Sequence, residues 1–174
     1  MMQIRDALAS DLNAIVDIYN DVLASSTAIF SETPVDVAER RTWWSARVSA
    51  GYPVLVAVDQ QALVGFASFG DFRSWPGYRF TVEHSVHVRA DYRGRGVGSA
   101  LMVELLARAR AAGKHMVVGG IDASNVASLG FHEKLGFQRS AELPQVGYKF
   151  GRFLDLVFVS KRLQAPANRT GAGE

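Results

Sequence analysis

Apolar positions in the first fifty residues change from strand spacing to helical spacing. Residues 3–7 form a strand-like run, β1, and Ser10 is placed to cap the helix that follows. That helix, α1, carries its apolar face on Leu12, Ile15, Val16, Tyr19, Val22 and Leu23. A second helix, α2, is predicted to begin at Thr33-Pro34-Val35-Asp36, where N-cap, first-turn proline and capping-box chemistry coincide, and to end near Gly51.

Short runs rich in β-forming residues occupy the middle of the chain. Residues 54–58 (β2) and 63–69 (β3) are separated by a short polar segment, which is typical of an antiparallel hairpin. Residues 70–79 contain the turn-forming sequence Trp75-Pro76-Gly77 and are predicted to be a loop. Residues 81–88 are then predicted to form the next strand, β4.

Helical and strand spacing alternate over the rest of the chain. After β4 a helix, α3, runs to about Ala112. Residues 116–121 predict a buried strand, β5, so that β4, α3 and β5 form a crossover whose two strands are parallel. Residues 125–135 predict a further helix, α4, and two closing strands follow at residues 137–143 (β6) and 153–159 (β7).

The composition fits one α/β domain. With 174 residues, 48% hydrophobic and 21% charged, the chain can bury a core without disulfides or metals, and this domain is predicted to span residues 1–163. Residues 164–174 lack apolar side chains large enough to pack and are predicted to be disordered. The sequence contains no cysteine, which excludes disulfides, thiolate metal sites and a cysteine nucleophile.

Charge and targeting features argue against several classes of partner. The formal net charge is +2 and the arginines are scattered, so we expect no binding to nucleic acid. Neither a signal-like start nor an apolar run of the roughly 20 residues that span a bilayer is visible, so we expect a cytoplasmic protein that does not bind a membrane. His84 and His87 would face opposite sides of a strand, and no metal site is predicted.

Residues 86–99, VHVRADYRGRGVGS, place an apolar strand end, a basic glycine-rich turn and a helix start in succession. Glycines let backbone N–H groups approach an anion, and the start of α3 adds the positive end of the helix dipole. The segment lacks the Lys-Ser/Thr pair of a P-loop and the Gly-x-Gly-x-x-Gly spacing of a dinucleotide fold. The turn therefore predicts a site for a different diphosphate-bearing cofactor; the alternative is a glycine-rich turn whose arginines are solvated.

Arg93-Gly94-Arg95-Gly96-Val97-Gly98 resembles the Arg-x-x-Gly-x-Gly/Ala motif of the GNAT family of N-acetyltransferases. Residues 125–137, NVASLGFHEKLGF, resemble a second landmark of that family, and the resemblance covers roughly residues 3 to 163. It implies an α/β GNAT fold of one domain, with the order β1-α1-α2-β2-β3-β4-α3-β5-α4-β6-β7 and a mixed, mostly antiparallel sheet containing a parallel β4/β5 pair. It also implies acetyl-CoA as co-substrate, bound by Val86, His87, Val88, Arg93, Gly94, Arg95, Gly96, Val97, Gly98, Ser99 and Asn125.

One position departs from the common pattern of that family, because His132 stands where many members carry a tyrosine that protonates the departing thiolate. In this the chain resembles the branch that acetylates phosphinothricin and methionine sulfoximine, as it does at residues 27–30, 32–34, 81–85 and 147–155. The resemblance implies a homodimer that acetylates the α-amino group of a small glutamate-like amino acid, such as L-methionine sulfoximine, methionine sulfone or phosphinothricin. Detoxification is the biological role that follows as a hypothesis.

An amine attacks a thioester only when neutral, whereas an α-amino group is mainly protonated at neutral pH, so the reaction needs a base. Glu83 on β4 is the candidate, since a partly buried carboxylate with a raised pKa can accept the proton directly or through water. The alternative is a strand carboxylate that is merely paired with an arginine. Backbone N–H groups of Val86 and Val88 are candidates to polarise the thioester carbonyl, with Val86 nearer to the chemistry by family resemblance.

His132 is the candidate acid, because an imidazole with an ordinary pKa of about 6.5 can protonate the sulfur of coenzyme A. The alternative is a helix histidine that only hydrogen-bonds to a neighbour. Since the sequence has neither a cysteine nor a Gly-x-Ser-x-Gly elbow, the acetyl group is predicted to pass directly to the amine in a ternary complex.

Arg73, in the loop before β4, offers a planar guanidinium that suits a carboxylate or sulfoximine-type oxygens. Lys149 is expected to approach the substrate carboxylate, across a subunit boundary as the resemblance suggests. The predicted substrate-binding residues are Phe30, Arg73, Ser74, Trp75, Glu83, His84, Ser85 and Lys149. Two other functions stay open at this point, namely acetylation of a peptide N-terminus or another amine, and a non-catalytic acyl-CoA sensor.

Overall fold

The structure is a computed structural model that describes residues 2–163. The segment 164–174, predicted above to be disordered, lies outside the described residues. The strands are β1 (Gln3–Asp6), β2 (Val54–Asp59), β3 (Ala62–Asp71), β4 (Thr81–Val88), β5 (Met116–Asp122), β6 (Gln138–Lys149) and β7 (Arg152–Arg162). The α-helices are α1 (Leu12–Ser25), α2 (Val37–Ser49), α3 (Val97–Ala111) and α4 (Val126–Lys134).

The strands of this part of the chain form one sheet in the order β1-β2-β3-β4-β5-β7-β6. Neighbouring strands are antiparallel except for β4 and β5, which are parallel. The predicted element order, hairpin and parallel crossover are therefore confirmed.

Helices cover both faces of the sheet because apolar side chains alternate along its central strands. Leu55 and Ala67 belong to the core cluster that contains the apolar residues of α3 and α4. Val56 and Phe66, on the other face, belong to the cluster that contains those of α1. The same alternation divides the side chains of β4 between the two faces.

The start of α1 differs from the prediction. A short 3₁₀ turn at Ala9–Asp11 precedes the helix, so Ser10 is not its cap. Asp11 holds this turn instead, since its carboxylate accepts hydrogen bonds from the Leu8 N–H (2.7 Å) and from Arg5 (2.7 and 3.0 Å). A partner on β1 therefore decided where the helix begins.

The cap of α2 also lies later than predicted. Asp36 caps the helix, and its Oδ1 accepts a hydrogen bond from the Glu39 N–H at 2.8 Å. The side chain of Asn20 binds both the N–H (3.0 Å) and the carbonyl oxygen (2.8 Å) of Val35, which keeps the preceding segment outside the helix. The predicted start at Thr33 was wrong because this contact with α1 is not visible in the local sequence.

Both closing strands are longer than predicted. β6 continues to Lys149 through two irregularities in its pairing with β7, at Arg139/Ala141 and Leu143/Gly147. Most of β6 is exposed at the edge of the sheet, so it lacks the apolar alternation that marks a half-buried strand. Pairing with β7, rather than its own pattern, makes this segment a strand.

Candidate active site

β4 and β5 run side by side and then separate. Three residue pairs join them, of which Glu83 and Val118 are the last, although both strands continue beyond that point. Backbone groups that leave a ladder are free to serve a ligand. The β4/β5 cleft formed in this way is lined by Ala28, His84, Ser85, Val86, His87, Gly120, Ile121, Asp122, Asn125, Ser128 and His132.

A second cavity, of about 350 Å³, lies on the face of the sheet that α1 and α2 cover. The lining of this α1/α2 cavity consists of Tyr19, Ala28, Ile29, Arg40, Trp43, Phe66, Glu83, His84, Ser85, His87 and Gly120. It shares Ala28, His84, Ser85, His87 and Gly120 with the β4/β5 cleft. The two spaces therefore adjoin where the strands separate, and molecules that enter from opposite faces of the sheet can meet there.

The glycine-rich turn between β4 and α3 forms a cradle of backbone N–H groups. Gly94 and Gly96 have φ angles of 75° and 81°, a region that glycine enters without a Cβ clash. The first intrahelical hydrogen bond of α3 runs from the Ala100 N–H to the Gly96 carbonyl oxygen (3.0 Å). The N–H groups of residues 97–99 have no acceptor within the helix and lie at the positive end of its dipole, where an anion is stabilised.

Two arginines of the turn are held close to it. Arg93 Nε donates a hydrogen bond to the Val88 carbonyl oxygen (3.3 Å), which connects the turn to the end of β4. The Arg95 guanidinium carbon lies 5.0 Å from the centroid of the Tyr92 ring. Both predicted cofactor-binding arginines thus lie beside the cradle, where their charges suit a diphosphate.

Gly98 has a packing role between α3 and α4 that the glycine-rich motif alone did not indicate. A Cβ at this position would lie 3.3 Å from Cζ of Phe131, so the glycine lets α3 and α4 approach each other. Asn125 caps α4 through Oδ1, which accepts a hydrogen bond from the Ser128 N–H at 3.1 Å. This cap holds the Asn125 side chain at the wall of the β4/β5 cleft.

Glu83 and His84 are neighbours on β4 and point to opposite faces of the sheet. Gly119 of β5 makes room for His84, since a Cβ there would lie 2.6 Å from His84 Nε2, whereas a Cβ on Gly120 would be in ordinary contact with Glu83 Oε1 at 3.4 Å. The sequence analysis missed this role of Gly119. The signal that could have found it is a glycine inside an apolar strand, which marks the close approach of another group.

Burial raises the pKa of Glu83 above its usual range. The positive charges of Arg73 and Arg47 oppose this effect without cancelling it. Arg47 crosses Gly70, the partner of Glu83 in the β3–β4 ladder, so closely that a Cβ there would overlap its guanidinium. Glu83 is therefore a desolvated carboxylate at the wall of the α1/α2 cavity, which is the environment of a general base.

His84 and His132 form a stacked pair with ring centroids 5.0 Å apart. The His132 Nδ1–H donates to the Ser128 carbonyl oxygen (2.7 Å), so the Nε2 of a neutral His132 carries a lone pair. That lone pair accepts a hydrogen bond from His84 Nε2 (3.1 Å). His84 Nδ1 is then an acceptor, and it is buried with no hydrogen-bond partner among the described residues.

Burial disfavours the charged form of both histidines. Desolvation, with a smaller contribution from His132, lowers the pKa of His84 to about 3. Desolvation also lowers the pKa of His132, although the hydrogen bond to Ser128 opposes this. At neutral pH both rings are therefore neutral, and both nitrogens of His132 are engaged within the protein.

Gly119→Ala tests the packing of this pair. The added Cβ would collide with His84 Nε2, and overpacking of this kind costs about 1–3 kcal/mol. We expect the free energy of unfolding, measured in urea, to fall by that amount. Gly130→Ala is the control, because nothing lies within 4 Å of its Cβ and alanine in α4 should stabilise by about 0.5–1 kcal/mol. Equal unfolding free energies for Gly119→Ala and the wild type would contradict the close approach.

His87, expected at the coenzyme, lies on the other face of the sheet. Its ring centroid is 5.2 Å from that of Phe66 and 6.0 Å from that of Tyr19. Burial lowers the pKa of His87 to about 4, and Arg40 and Arg93 add to this effect. His87 is thus a neutral residue that lines both the α1/α2 cavity and the β4/β5 cleft.

Lys149, expected at the substrate carboxylate, is fully buried at the end of β6. Its Nζ donates to the carbonyl oxygens of Leu23 (2.6 Å), Ser26 (2.7 Å) and Ile29 (2.8 Å). These three bonds engage all the protons of an ammonium group. The structure therefore places Lys149 as a support for residues 26–30, two of which line the α1/α2 cavity, and leaves it no proton for a substrate.

Two further contacts hold residues 26–30. The Thr27 hydroxyl donates a hydrogen bond to the buried carboxylate of Asp122, at the end of β5. Phe30 packs over Gly147, where a Cβ would lie 2.4 Å from its ring. Ala28 and Ile29 line the cavity and Phe30 does not, so contact between Phe30 and the substrate stays a prediction.

The loop before β4 places a positive charge near Glu83 but does not line the β4/β5 cleft or the α1/α2 cavity. Arg73 is exposed, its Nη1 donates to the Phe72 carbonyl oxygen (2.8 Å), and it lies close enough to Glu83 to affect the pKa of that carboxyl. Ser74 is exposed, and Trp75 is 75% exposed. Neither is among the lining residues of the cleft or the cavity in this structure.

Among residues 2–163, no group of three or more acidic, histidine or cysteine side chains is placed to hold a metal ion. No helix there is long and apolar enough to cross a bilayer.

Comparison with known proteins agrees with this geometry. The profile of the Acetyltransferase (GNAT) family matches residues 15–137. An L-methionine sulfoximine/L-methionine sulfone acetyltransferase of Pseudomonas paraeruginosa is 52% identical over 161 residues, which are 92% of this chain and 94% of that protein. A phosphinothricin N-acetyltransferase of Alcaligenes faecalis is 37% identical over 93% of this chain and 83% of its own.

A solved structure extends the likeness to the fold. A putative acetyltransferase from Salmonella typhimurium, crystallised with its cofactor acetyl-CoA, superimposes with a TM-score of 0.92 at 44% sequence identity. The match covers 98% of this chain and 99% of that one.

Proposed function

The chain belongs to the GNAT acetyltransferase family, and we propose that it transfers the acetyl group of acetyl-CoA to the α-amino group of a small glutamate-like amino acid. L-Methionine sulfoximine, L-methionine sulfone and phosphinothricin are the proposed acceptors, because curated relatives are named for them. The observation that carries the proposal is the place where the β4/β5 cleft meets the α1/α2 cavity beside Glu83.

The described residues fit acetyl-CoA. The N–H groups of residues 97–99 and the side chains of Arg93 and Arg95 would hold its pyrophosphate. The β4/β5 cleft would take its pantetheine arm, with Asn125 at the wall. Bound acetyl-CoA supplies the thioester that the amine attacks, and the cleft directs that group toward the α1/α2 cavity.

Glu83 accepts the proton of the incoming ammonium group and so releases the lone pair that attacks the thioester. Because burial raises its pKa, Glu83 in its ionised form is a stronger base than an exposed glutamate. The backbone N–H of Val86, on the part of β4 that has separated from β5, is the proposed donor to the thioester carbonyl oxygen. Transfer is direct, because the sequence has no cysteine to carry the acetyl group.

The departing thiolate is the next group to need a proton. His132 lines the cleft and remains the candidate donor, but its Nδ1–H is bonded to Ser128 and its Nε2 faces His84. It can act as an acid only after it gains a proton at Nε2 and its hydrogen bond with His84 is rearranged. A thiolate of moderate pKa can leave without full protonation, so activity need not depend on this step.

We propose further that the enzyme works in the cytoplasm, where acetyl-CoA is available, and as a homodimer. Support for a dimer comes from the end of the β6–β7 hairpin, where Tyr148, Phe150 and Phe153 are exposed. β6 is also an edge strand with one side unpaired.

A thiol-release assay with acetyl-CoA tests the proposed function. We expect rapid release of coenzyme A with L-methionine sulfoximine, L-methionine sulfone or phosphinothricin, and slow release with peptides that have a free N-terminus. Calorimetry should detect binding of acetyl-CoA without an acceptor. Equal rates with peptides would favour the broader amine acetyltransferase, tight binding without thiol release would favour an acyl-CoA sensor, and absence of binding would refute the proposal.

A further inference from the structure

Arg40 of α2 is a buried cation at the wall of the α1/α2 cavity. The residue is 5% exposed, and its guanidinium carbon lies 4.2 Å from the ring centroid of Tyr19 and 4.7 Å from that of Trp43. Two aromatic contacts hold the planar group in one orientation. A long, flexible side chain is thereby converted into a fixed feature of the cavity.

The charge of Arg40 is poorly compensated by the protein. Its hydrogen bonds among residues 2–163 run to the neighbouring side chain of Glu39, at N···O distances of 3.2–3.4 Å. The Glu39 side chain is 51% exposed, so water weakens its pairing with Arg40. Because a buried charge is costly unless it is well paired, the site favours an additional anion at Arg40.

The other charges at the cavity also favour an anionic ligand. Glu83 is the acidic residue in its lining, and the positive charges of Arg73 and Arg47 act on it, partly offsetting the burial that raises its pKa. His87 is neutral, because burial lowers its pKa to about 4. Three guanidinium groups therefore act on a cavity whose lining contains one carboxylate, so the cavity has an excess of positive charge.

The position of the reacting amine beside Glu83 decides which anionic group of the acceptor can lie near Arg40. If Glu83 takes the proton from the amine, the amine lies near Glu83, and the remaining groups of the acceptor extend into the α1/α2 cavity toward Arg40. In an α-amino acid a carboxylate is attached to the same carbon as the amine, so both groups must be recognised by one small cavity. Arg40 and Glu83 line the same cavity of about 350 Å³.

We propose that Arg40 binds the α-carboxylate of the acceptor and thereby restricts the enzyme to free amino acids. This inference rests on the proposed function and deepens it, since it gives a physical reason to expect that peptides and simple amines are poor acceptors. A peptide N-terminus carries a neutral amide where a free amino acid carries the carboxylate. Such a ligand would leave Arg40 with only its water-exposed pairing to Glu39, and binding would not offset the free-energy cost of burying the Arg40 charge.

The test compares L-methionine sulfone with its α-carboxamide in wild type and in Arg40→Met. For the free acid we expect Arg40→Met to lower kcat/KM by roughly 10- to 100-fold, the range of a hydrogen bond to a charged group, mainly through KM. For the carboxamide, kcat/KM should stay nearly unchanged. Arg41→Met is the matched control, because Arg41 is the exposed neighbour on the same helix and should leave both substrates unaffected.

Arg40→Met could lose activity simply because it folds poorly, so thermal unfolding of each variant is measured. Arg40→Lys is a second, more conservative variant that tests the same prediction. Lysine keeps the charge but loses the planar fork, so we expect an intermediate loss for the acid and none for the carboxamide. An equal loss for acid and carboxamide would overturn the inference and make Arg40 a packing residue. Wild type that binds acetyl-CoA but acetylates neither compound would instead overturn the proposed function, and this inference with it.

Discussion

Glu83→Gln should lower kcat by about 10²- to 10⁴-fold, the usual contribution of a general base, while the affinity for acetyl-CoA stays nearly unchanged. Glutamine keeps the size of the side chain beside Gly120 but cannot accept the proton of the amine. The cradle at residues 97–99 is a separate feature and should bind acetyl-CoA as before. Steady-state thiol release with L-methionine sulfone gives kcat, and calorimetry gives the dissociation constant.

Glu142→Gln is the matched control for this variant. Glu142 is an exposed glutamate on β6, outside the linings of the cleft and the cavity, so the same chemical change there should not affect kcat. A Glu83→Gln enzyme that keeps most of the wild-type kcat would show that another group takes the proton.

The pH profile gives an independent check on Glu83. The base works only when ionised, so kcat/KM for the amino acid should fall as the pH drops through the pKa of Glu83. Since burial raises that pKa, the acidic limb should lie above the range of an exposed glutamate. This limb should disappear in Glu83→Gln, whereas a limb of identical position in that variant would assign it to another group.

Lys149→Met should lower the free energy of unfolding by about 3 kcal/mol, because it removes the donor from three carbonyl oxygens, one of them buried and two partly buried. Methionine is similar in length and apolar, so little of the effect should come from lost volume. The carbonyls belong to the end of α1 and to residues 26–30, so the wall of the α1/α2 cavity should loosen. Urea unfolding followed by circular dichroism measures the stability.

A kinetic readout separates this supporting role from a direct contact with substrate. A looser wall should raise KM for the amino acid in Lys149→Met and leave the affinity for acetyl-CoA nearly unchanged. Lys134→Met is the control, since Lys134 is exposed on α4 and its replacement should change stability by no more than about 0.5 kcal/mol. A fully stable Lys149→Met variant with a raised KM would instead support the direct contact with the substrate carboxylate.

Much of the site could be predicted because its parts are local in sequence. The cradle depends on the spacing of Gly94 and Gly96 and on the helix that follows them directly. The position of Glu83 on a strand leading into that turn depends on the period of apolar residues. Neighbouring residues carry these signals, so the chain order alone is enough to recognise them.

Other parts of the site depend on contacts between distant residues. His84 meets His132 across 48 positions, and Lys149 reaches Leu23 across 126. Histidine on a helix or lysine on a strand has no local signature for such a partner, so one was predicted as an acid and the other as a substrate ligand. The structure adds the partners that the sequence could not give, since both nitrogens of His132 and all protons of Lys149 are engaged within the protein.

The order of strands and helices, the parallel crossover and the glycine-rich turn were determined by the sequence itself, because periodicity, caps and glycine spacing act over a few residues. Tertiary structure alone decided where β4 and β5 separate and which charged groups face the resulting cavity. Arg40 shows the difference: in the sequence it is one of two adjacent arginines on a helix, and only the packing of α2 against the sheet buries it while Arg41 stays in solvent. Burial depends on what the whole fold places around a side chain, and no local pattern records that.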